Sequence, residues 1–108
     1  LVKVRVFRPF PGEELAKAIS HCKVVAVMDK VEGFTNEGGP LYNETAAACI
    51  NLENRPKMIN VVYGLGGRDI TTVDIEKIFN HLYEIEETGV IGEHYLHIGQ
   101  RSNAKEVL

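Results

Sequence analysis

The chain has 108 residues, of which 44% are hydrophobic and 25% charged, with a formal net charge of −3. This is the composition of one ordinary globular domain. The weakly acidic balance argues against a nucleic-acid surface, and no apolar run approaches the roughly 18 residues of a membrane span. We therefore expect neither nucleic acid nor a membrane as a partner. The first residue is Leu1 and not Met, so we expect an internal piece of a longer polypeptide, with a whole protein shortened by processing as the alternative.

The two cysteines, Cys22 and Cys49, are far apart and belong to no Cys-x-x-Cys pattern. Neither has the spacing of a metal ligand, and a small secreted domain would usually carry more paired cysteines. Both are interpreted as small buried apolar side chains in a reducing cytosol, which favours a cytoplasmic protein.

The first half of the chain alternates strand and helix patterns. Valine alternates with larger side chains over residues 2–7, which predicts a strand that Pro9 and Pro11 end. Residues 12–20 have apolar side chains at helical spacing. The run VVAVM at residues 24–28 is typical of a strand that is covered on both faces in a parallel sheet. Asp29 and Lys30 follow it directly.

A glycine-rich loop is predicted over residues 31–39, and Pro40 fits the first position of the next helix. The alanines at 46–48 are small enough to let this helix approach a sheet closely. Its apolar stripe consists of Leu41, Thr45, Ala48, Cys49 and Leu52.

The second half repeats the alternation. Residues 58–63 (MINVVY) predict a third buried strand, which leads into the sharp loop GLGGRD at residues 64–69. Thr71 and Asp74 have the spacing of a capping box for a helix that continues to about Glu87, with Gly89 as its stop. The stripe of that helix is predicted from Ile75, Ile78, Phe79 and Leu82. Residues 93–98 predict an edge strand.

The resulting order, β-α-β-α-β-α-β, predicts a three-layer αβα fold with a mostly parallel sheet. We expect one domain over residues 1–101, followed by a tail over residues 102–108. In such sheets ligands and partners meet the carboxyl ends of the strands. Three loops are predicted at that edge, and they supply the candidates for an interface or an anion site: Arg8, Pro9, Pro11, Gly38, Gly39, Gly64, Gly66, Gly67, Arg68 and Asp69.

Each candidate also has a simpler interpretation. The glycines of GLGGRD resemble half of a dinucleotide fingerprint, but they follow the third strand where that fingerprint follows the first. A tight turn is therefore favoured, with Arg68 and Asp69 at an interface. Gly38 and Gly39 precede a helix start, whose free N–H groups could receive an anion, although every helix start offers such groups.

The remaining polar side chains do not predict a catalytic centre. His94 and His97 are expected on opposite faces of a strand, which argues against shared metal ligation and favours surface histidines. His81 is expected on the polar, solvated side of its helix. The serines and cysteines lack the surroundings of an activated nucleophile. The sequence thus predicts no catalytic, cofactor-binding or metal-binding residue.

Three segments together resemble a known family: VKVRVFRPFP, VVAVMDK with GGPLYNE after a glycine-rich loop, and NVVYGLGGRD. The series is similar to the C-terminal domain of the α subunit of 2-oxoacid:ferredoxin oxidoreductases, with pyruvate:ferredoxin oxidoreductase (pyruvate synthase) as the nearest subtype. The resemblance implies a fold like the transketolase C-terminal domain. It also implies a holoenzyme that decarboxylates a 2-oxoacid, transfers the acyl group to coenzyme A and reduces ferredoxin.

In that family thiamine diphosphate, Mg and iron–sulfur clusters belong to other domains or subunits. The resemblance therefore implies an inactive structural domain that packs against partners and binds none of these cofactors itself. One segment departs from the family pattern, because residues 31–35 (VEGFT) replace its serine–phenylalanine–glycine turn. Pyruvate is the first choice of substrate, and a branched-chain or other 2-oxoacid stays open. The alternatives are an anion or coenzyme A module built on Arg8, Gly38, Gly39 and Arg68, or the equivalent domain of a transketolase or 2-oxoacid dehydrogenase.

Overall fold

In the computed structural model, the residues described are 2–4, 9–30, 38–63 and 70–98. They form three helices and three strands in strict alternation: α1 (Gly12–Ile19), β1 (Val24–Asp29), α2 (Pro40–Cys49), β2 (Lys57–Val62), α3 (Thr72–Thr88) and β3 (Tyr95–His97). None of these helices is both long and apolar enough to cross a bilayer.

The three strands form one parallel sheet in the order β1-β2-β3. Val24 pairs with Lys57 at one end of the β1–β2 ladder, and Asp29 pairs with Val62 at the other. The short β3 pairs only with the last three residues of β2. The predicted parallel α/β sheet is therefore confirmed.

The strand predicted at residues 2–7 has a different outcome. Residues 2–4 belong to no strand, so the prediction is wrong for them, and residues 5–8 lie outside the described residues. Alternating valines fit a pleated, half-buried surface, but a strand also needs a hydrogen-bonded neighbour, which a local pattern cannot supply.

Helices cover both faces of the sheet, which gives the predicted three layers. Side chains alternate along β2, so Met58 faces one layer while Ile59 and Val61 face the other. The first core joins α1 and α2 to the sheet and contains Leu15, Ala16, Ile19, Val27, Cys49 and Met58. The second joins α3 and β3 to the opposite face and contains Ile59, Val61, Ile78, Ile85, Leu96 and Ile98.

The alanines of α2 bring it close to α1 as well as to β1. A Cβ atom placed on Gly12 would lie 3.2 Å from the Cβ of Ala48, so a small residue is needed on both helices. Ala47 is exposed and takes no part in this contact. The predicted close approach is confirmed, but it joins two helices as well as a helix and a sheet.

Four side chains differ from their predicted burial. Phe79 was expected in the buried stripe of α3 and is 52% exposed, while Ile85 is buried. His81 was expected in solvent, but it is half-buried and its Nε2 atom is buried with no hydrogen-bond partner among the described residues. His97 was expected at the surface and is 4% exposed. Cys22 is half-buried and not buried, whereas Cys49 is buried as predicted.

Helix α3 has the predicted capping box at its start and the predicted glycine at its end. At the start, the Thr71 hydroxyl accepts from the Asp74 N–H at 3.2 Å, and the Asp74 carboxylate accepts from the Thr71 N–H at 2.9 Å. At the end, Gly89 takes the left-handed conformation with φ of 74°. Only glycine takes this conformation without strain.

We predict that Thr71→Ala lowers the free energy of unfolding by about 1 kcal/mol, because it removes the side-chain partner of a helix-terminal N–H group. Urea denaturation measures the change. Thr72→Ala is the matched control, since Thr72 is exposed in the first helical position and makes no capping bond. An equal loss in both variants would contradict the capping role.

Candidate functional site at the carboxyl edge of the sheet

Strand β1 ends at Asp29, whose side chain is only 4% exposed. Its two oxygens point at the first turn of α2. Oδ1 accepts from the Leu41 N–H at 2.8 Å, and Oδ2 accepts from the Tyr42 N–H at 3.1 Å. The first N–H groups of a helix have no partner within the helix and carry the positive end of its dipole. The Asp29 carboxylate, at the end of β1, accepts hydrogen bonds from these N–H groups and places a negative charge at the positive end of the dipole.

The neighbouring strand β2 supplies a second polar side chain, the fully buried Asn60. Its Nδ2 group donates to Asp29 Oδ2 at 2.9 Å and to the Val27 carbonyl at 2.9 Å. Its Oδ1 accepts from the Gly39 N–H at 2.7 Å. Both donors and the acceptor of the amide are therefore used. We call these bonds of Asp29 and Asn60 to one another and to the start of α2 the Asp29–Asn60 network.

Two glycines let the chain pass close to this network. A Cβ atom on Gly39 would lie 2.5 Å from the Asp29 carboxylate, although the backbone of Gly39 has an ordinary φ of −77°. Gly38 has φ of +144°, and a Cβ atom there would lie 2.5 Å from the Tyr42 ring. Gly38 and Gly39 were predicted as candidates for an interface or an anion site. In the structure both are buried, Gly39 against the Asp29 carboxylate and Gly38 against the Tyr42 ring.

Two aromatic–histidine pairs lie beside the network. The Tyr42 ring stacks on the His94 ring with centroids 5.8 Å apart. Tyr95 and His97 form a tilted pair at 5.1 Å on the same face of β3. The His94 carbonyl also accepts from the Asn60 N–H. The predicted surface histidines therefore take part in packing at the carboxyl edge.

The network joins β1 and β2 to the start of α2. Asp29 and Asn60 are buried, and they bond to each other and to backbone groups of the domain. Among the described residues no group of three His, Cys, Asp or Glu side chains could hold a metal ion. Burial raises the pKa of the Cys49 thiol, so at neutral pH it stays protonated and is a poor nucleophile.

The other predicted interface candidates are placed only in part. Pro9 is exposed, and Pro11 is half-buried where it precedes α1. Six candidates lie outside the described residues, and their interface role stays a prediction: Arg8, Gly64, Gly66, Gly67, Arg68 and Asp69.

The sequence predicts Asp29 at the end of its strand but gives it no role, and it does not identify Asn60 as a candidate. One signal was present, because Asn60 is the only polar residue inside the run MINVV. A buried amide needs partners, and the carboxyl ends of parallel strands share one edge. Asp29, at the end of the neighbouring strand, was the nearest polar residue that the predicted topology offered.

We predict that Asp29→Asn lowers the free energy of unfolding by about 2 to 4 kcal/mol. The new amide group would face N–H donors that now bond to a carboxylate, and buried donors would lose their acceptor. Thermal and urea denaturation measure the loss. Glu53→Gln removes the same charge from an exposed position, and it should cost less than about 0.5 kcal/mol. Equal costs would mean that net charge, and not the Asp29–Asn60 network, determines the effect.

Gly39→Ala is predicted to lower the free energy of unfolding by about 1 to 3 kcal/mol through overpacking against the Asp29 carboxylate. The backbone of Gly39 suits alanine, so the cost should depend on Asp29. A double-mutant cycle with Asp29→Ala measures this dependence. The cost of Gly39→Ala should fall in the Asp29→Ala background, and strictly additive costs would contradict the close contact.

The sequence also matches a family model, described as pyruvate:ferredoxin oxidoreductase core domain II, over residues 1–75. The matched part contains α1, β1, α2 and β2, and with them the whole Asp29–Asn60 network.

Individual relatives give the same result. Ketoisovalerate oxidoreductase subunit VorA of Pyrococcus furiosus is 42% identical over 82% of this chain and 22% of its own length. Pyruvate synthase subunit PorA of Methanothermobacter thermautotrophicus is 46% identical over 72% of this chain and 19% of its own. The α subunit of the NADH-dependent phenylglyoxylate dehydrogenase of Aromatoleum evansii is 35% identical over 74% of this chain and 19% of its own. The chain thus spans about a fifth of the length of these relatives. By the match over its first 75 residues, the chain belongs to the pyruvate:ferredoxin oxidoreductase core domain II family.

Proposed function

We propose that this chain is a structural and assembly domain in the α subunit of a thiamine diphosphate-dependent 2-oxoacid:ferredoxin oxidoreductase. The holoenzyme would decarboxylate a 2-oxoacid oxidatively, form the acyl-coenzyme A and reduce ferredoxin. The observation that carries the non-catalytic role is the Asp29–Asn60 network. Asp29 and Asn60 lie at the carboxyl edge, where a ligand would be expected, and they bond to the domain's own backbone.

Pyruvate is the proposed substrate, with a branched-chain 2-oxoacid as the alternative. Relatives named for pyruvate and for ketoisovalerate match this chain at similar identity, 46% and 42%. Similarity over this domain therefore does not separate the two substrates. Activity of the holoenzyme with each 2-oxoacid distinguishes the two substrates.

The described residues of this chain do not fit the cofactors of such a holoenzyme. Iron–sulfur clusters are usually held by four cysteine thiolates, and the chain has two cysteines. One of them, Cys49, is buried in the core between the helices and the sheet. Thiamine diphosphate needs a bound divalent ion for its pyrophosphate, and the described residues offer no cluster for one.

The alternative role as an anion or coenzyme A module has less support. It relies on N–H groups at the start of α2, but those of Gly39, Leu41 and Tyr42 already donate to Asn60 and Asp29. The other alternative, a domain of a transketolase or 2-oxoacid dehydrogenase, has less support, because the family model that matches residues 1–75 is described as pyruvate:ferredoxin oxidoreductase core domain II.

The proposal is tested on the complete complex, with the full-length α subunit expressed together with its partner subunits. Wild-type complex should reduce ferredoxin in the presence of coenzyme A and pyruvate. Activity with ketoisovalerate but not pyruvate would change the proposed substrate. Activity with no 2-oxoacid would overturn the proposed function.

The assembly role gives a further prediction for Arg68, a proposed interface residue. Arg68→Ala should raise the dissociation constant of the complex about 5- to 30-fold, as the loss of one interface arginine does. KM for coenzyme A, measured on assembled complex, should change less than about twofold. Arg55→Ala is the control, because Arg55 is exposed before β2, at the opposite edge of the sheet. A raised KM for coenzyme A with unchanged assembly would favour the anion module.

A further inference from the structure

Helix α3 exposes two aromatic side chains on one face. Phe79 is 52% exposed and Tyr83 is 64% exposed. Residues four apart lie on the same face of a helix, so both side chains extend from one side of α3. The other exposed large apolar side chains of the described residues are separate aliphatic ones: Val2, Ile50, Val73 and Val90. Scattered aliphatic residues are normal on a protein surface, whereas adjacent aromatic residues often mark a contact site.

Three exposed glutamates bracket these rings. Glu76 precedes Phe79 by one turn, and Glu86 and Glu87 follow Tyr83 by one turn. Glu86 lies 3.8 Å from Lys23, with both side chains largely in solvent. Neither Glu76 nor Glu87 has a salt bridge to a residue that the structure describes. We call Phe79 and Tyr83, together with Glu76, Glu86 and Glu87, the aromatic face of α3.

We propose that the aromatic face of α3 is the docking surface for a different subunit of the complex, one that presents an apolar patch with arginines at its rim. This inference rests on the proposed assembly function and assigns it a second surface, apart from the loops at the carboxyl edge. An arginine guanidinium can stack on an aromatic ring and pair with a carboxylate at once. The spacing of Tyr83 and Glu87 offers both partners to one arginine.

The acidic rim selects among the possible occupants. Two copies of this face brought together would place glutamates against glutamates, which opposes symmetric self-association. A face that must stay soluble until a separately made chain arrives benefits from charges around its apolar centre. Such charges also speed the encounter with an oppositely charged partner. The proposal therefore commits to a separate, basic-rimmed subunit.

The first experiment uses the complete complex with the double substitution Phe79→Ala and Tyr83→Ala. The dissociation constant of the complex, measured by analytical ultracentrifugation, should rise at least about tenfold, as expected for aromatic interface anchors. The control is the double substitution Val73→Ala and Val90→Ala, which removes two other exposed apolar side chains. A change below about twofold in the aromatic variant, or an equal change in the control, overturns the proposal.

A second experiment keeps the aromatic rings in place. The double substitution Glu76→Lys and Glu87→Lys should weaken the complex at low salt and remove the salt dependence of the wild-type dissociation constant. A photo-crosslinking amino acid in place of Tyr83 should link to a different subunit. A link to the same polypeptide or to a second copy, or no link, overturns the proposal. The 2-oxoacid assay of the wild-type complex is scored separately, so failure of the proposed function is distinguishable from failure of this docking surface.

Discussion

The structure depends on one buried interaction, the bond between the Asp29 carboxylate and the start of α2. A buried carboxylate is costly unless several donors satisfy it. Here it accepts from two helix N–H groups and from the Asn60 amide. The same bonds remove the cost of a buried helix end. The buried carboxylate and the buried N–H groups at the start of α2 would each be unfavourable alone, and together they stabilise each other. These bonds form only when β1, β2 and α2 have one relative position.

That position determines the packing around it. With its start attached to the ends of β1 and β2, α2 directs Thr45 and Cys49 inward, where both are buried, and Ala48 toward Gly12 of α1. The first core forms in the space that remains between these helices and the sheet. Apolar contacts supply most of the free energy, but they are not directional. The Asp29–Asn60 network gives one relative arrangement of α2, β1 and β2 a lower free energy than the alternative arrangements.

The sequence predicted what short-range patterns encode. The start of α2 at Pro40 and both ends of α3 follow from local backbone chemistry, and the described strands have the apolar runs of a buried parallel sheet. The Asp29–Asn60 bond joins residues 31 positions apart, so no local pattern contains it. Phe79 follows Ile78 directly and is therefore rotated by about 100° around the helix. Ile75, Ile78, Leu82 and Ile85 already cover the sheet, and only the packed structure shows that Phe79 lies outside their stripe.

Asp29 and Asn60 are buried inside the domain, whereas Phe79 and Tyr83 are exposed on its surface. A site that recognised a 2-oxoacid would have to change as the acid changes from an aliphatic to an aromatic one. The Asp29–Asn60 network has no such requirement, because its partners are strand and helix backbone groups of the same domain. Three subunits named for ketoisovalerate, pyruvate and phenylglyoxylate match this chain at 42%, 46% and 35% identity. The bonds of the Asp29–Asn60 network close within the domain, so they place no requirement on the acid for which a related subunit is named.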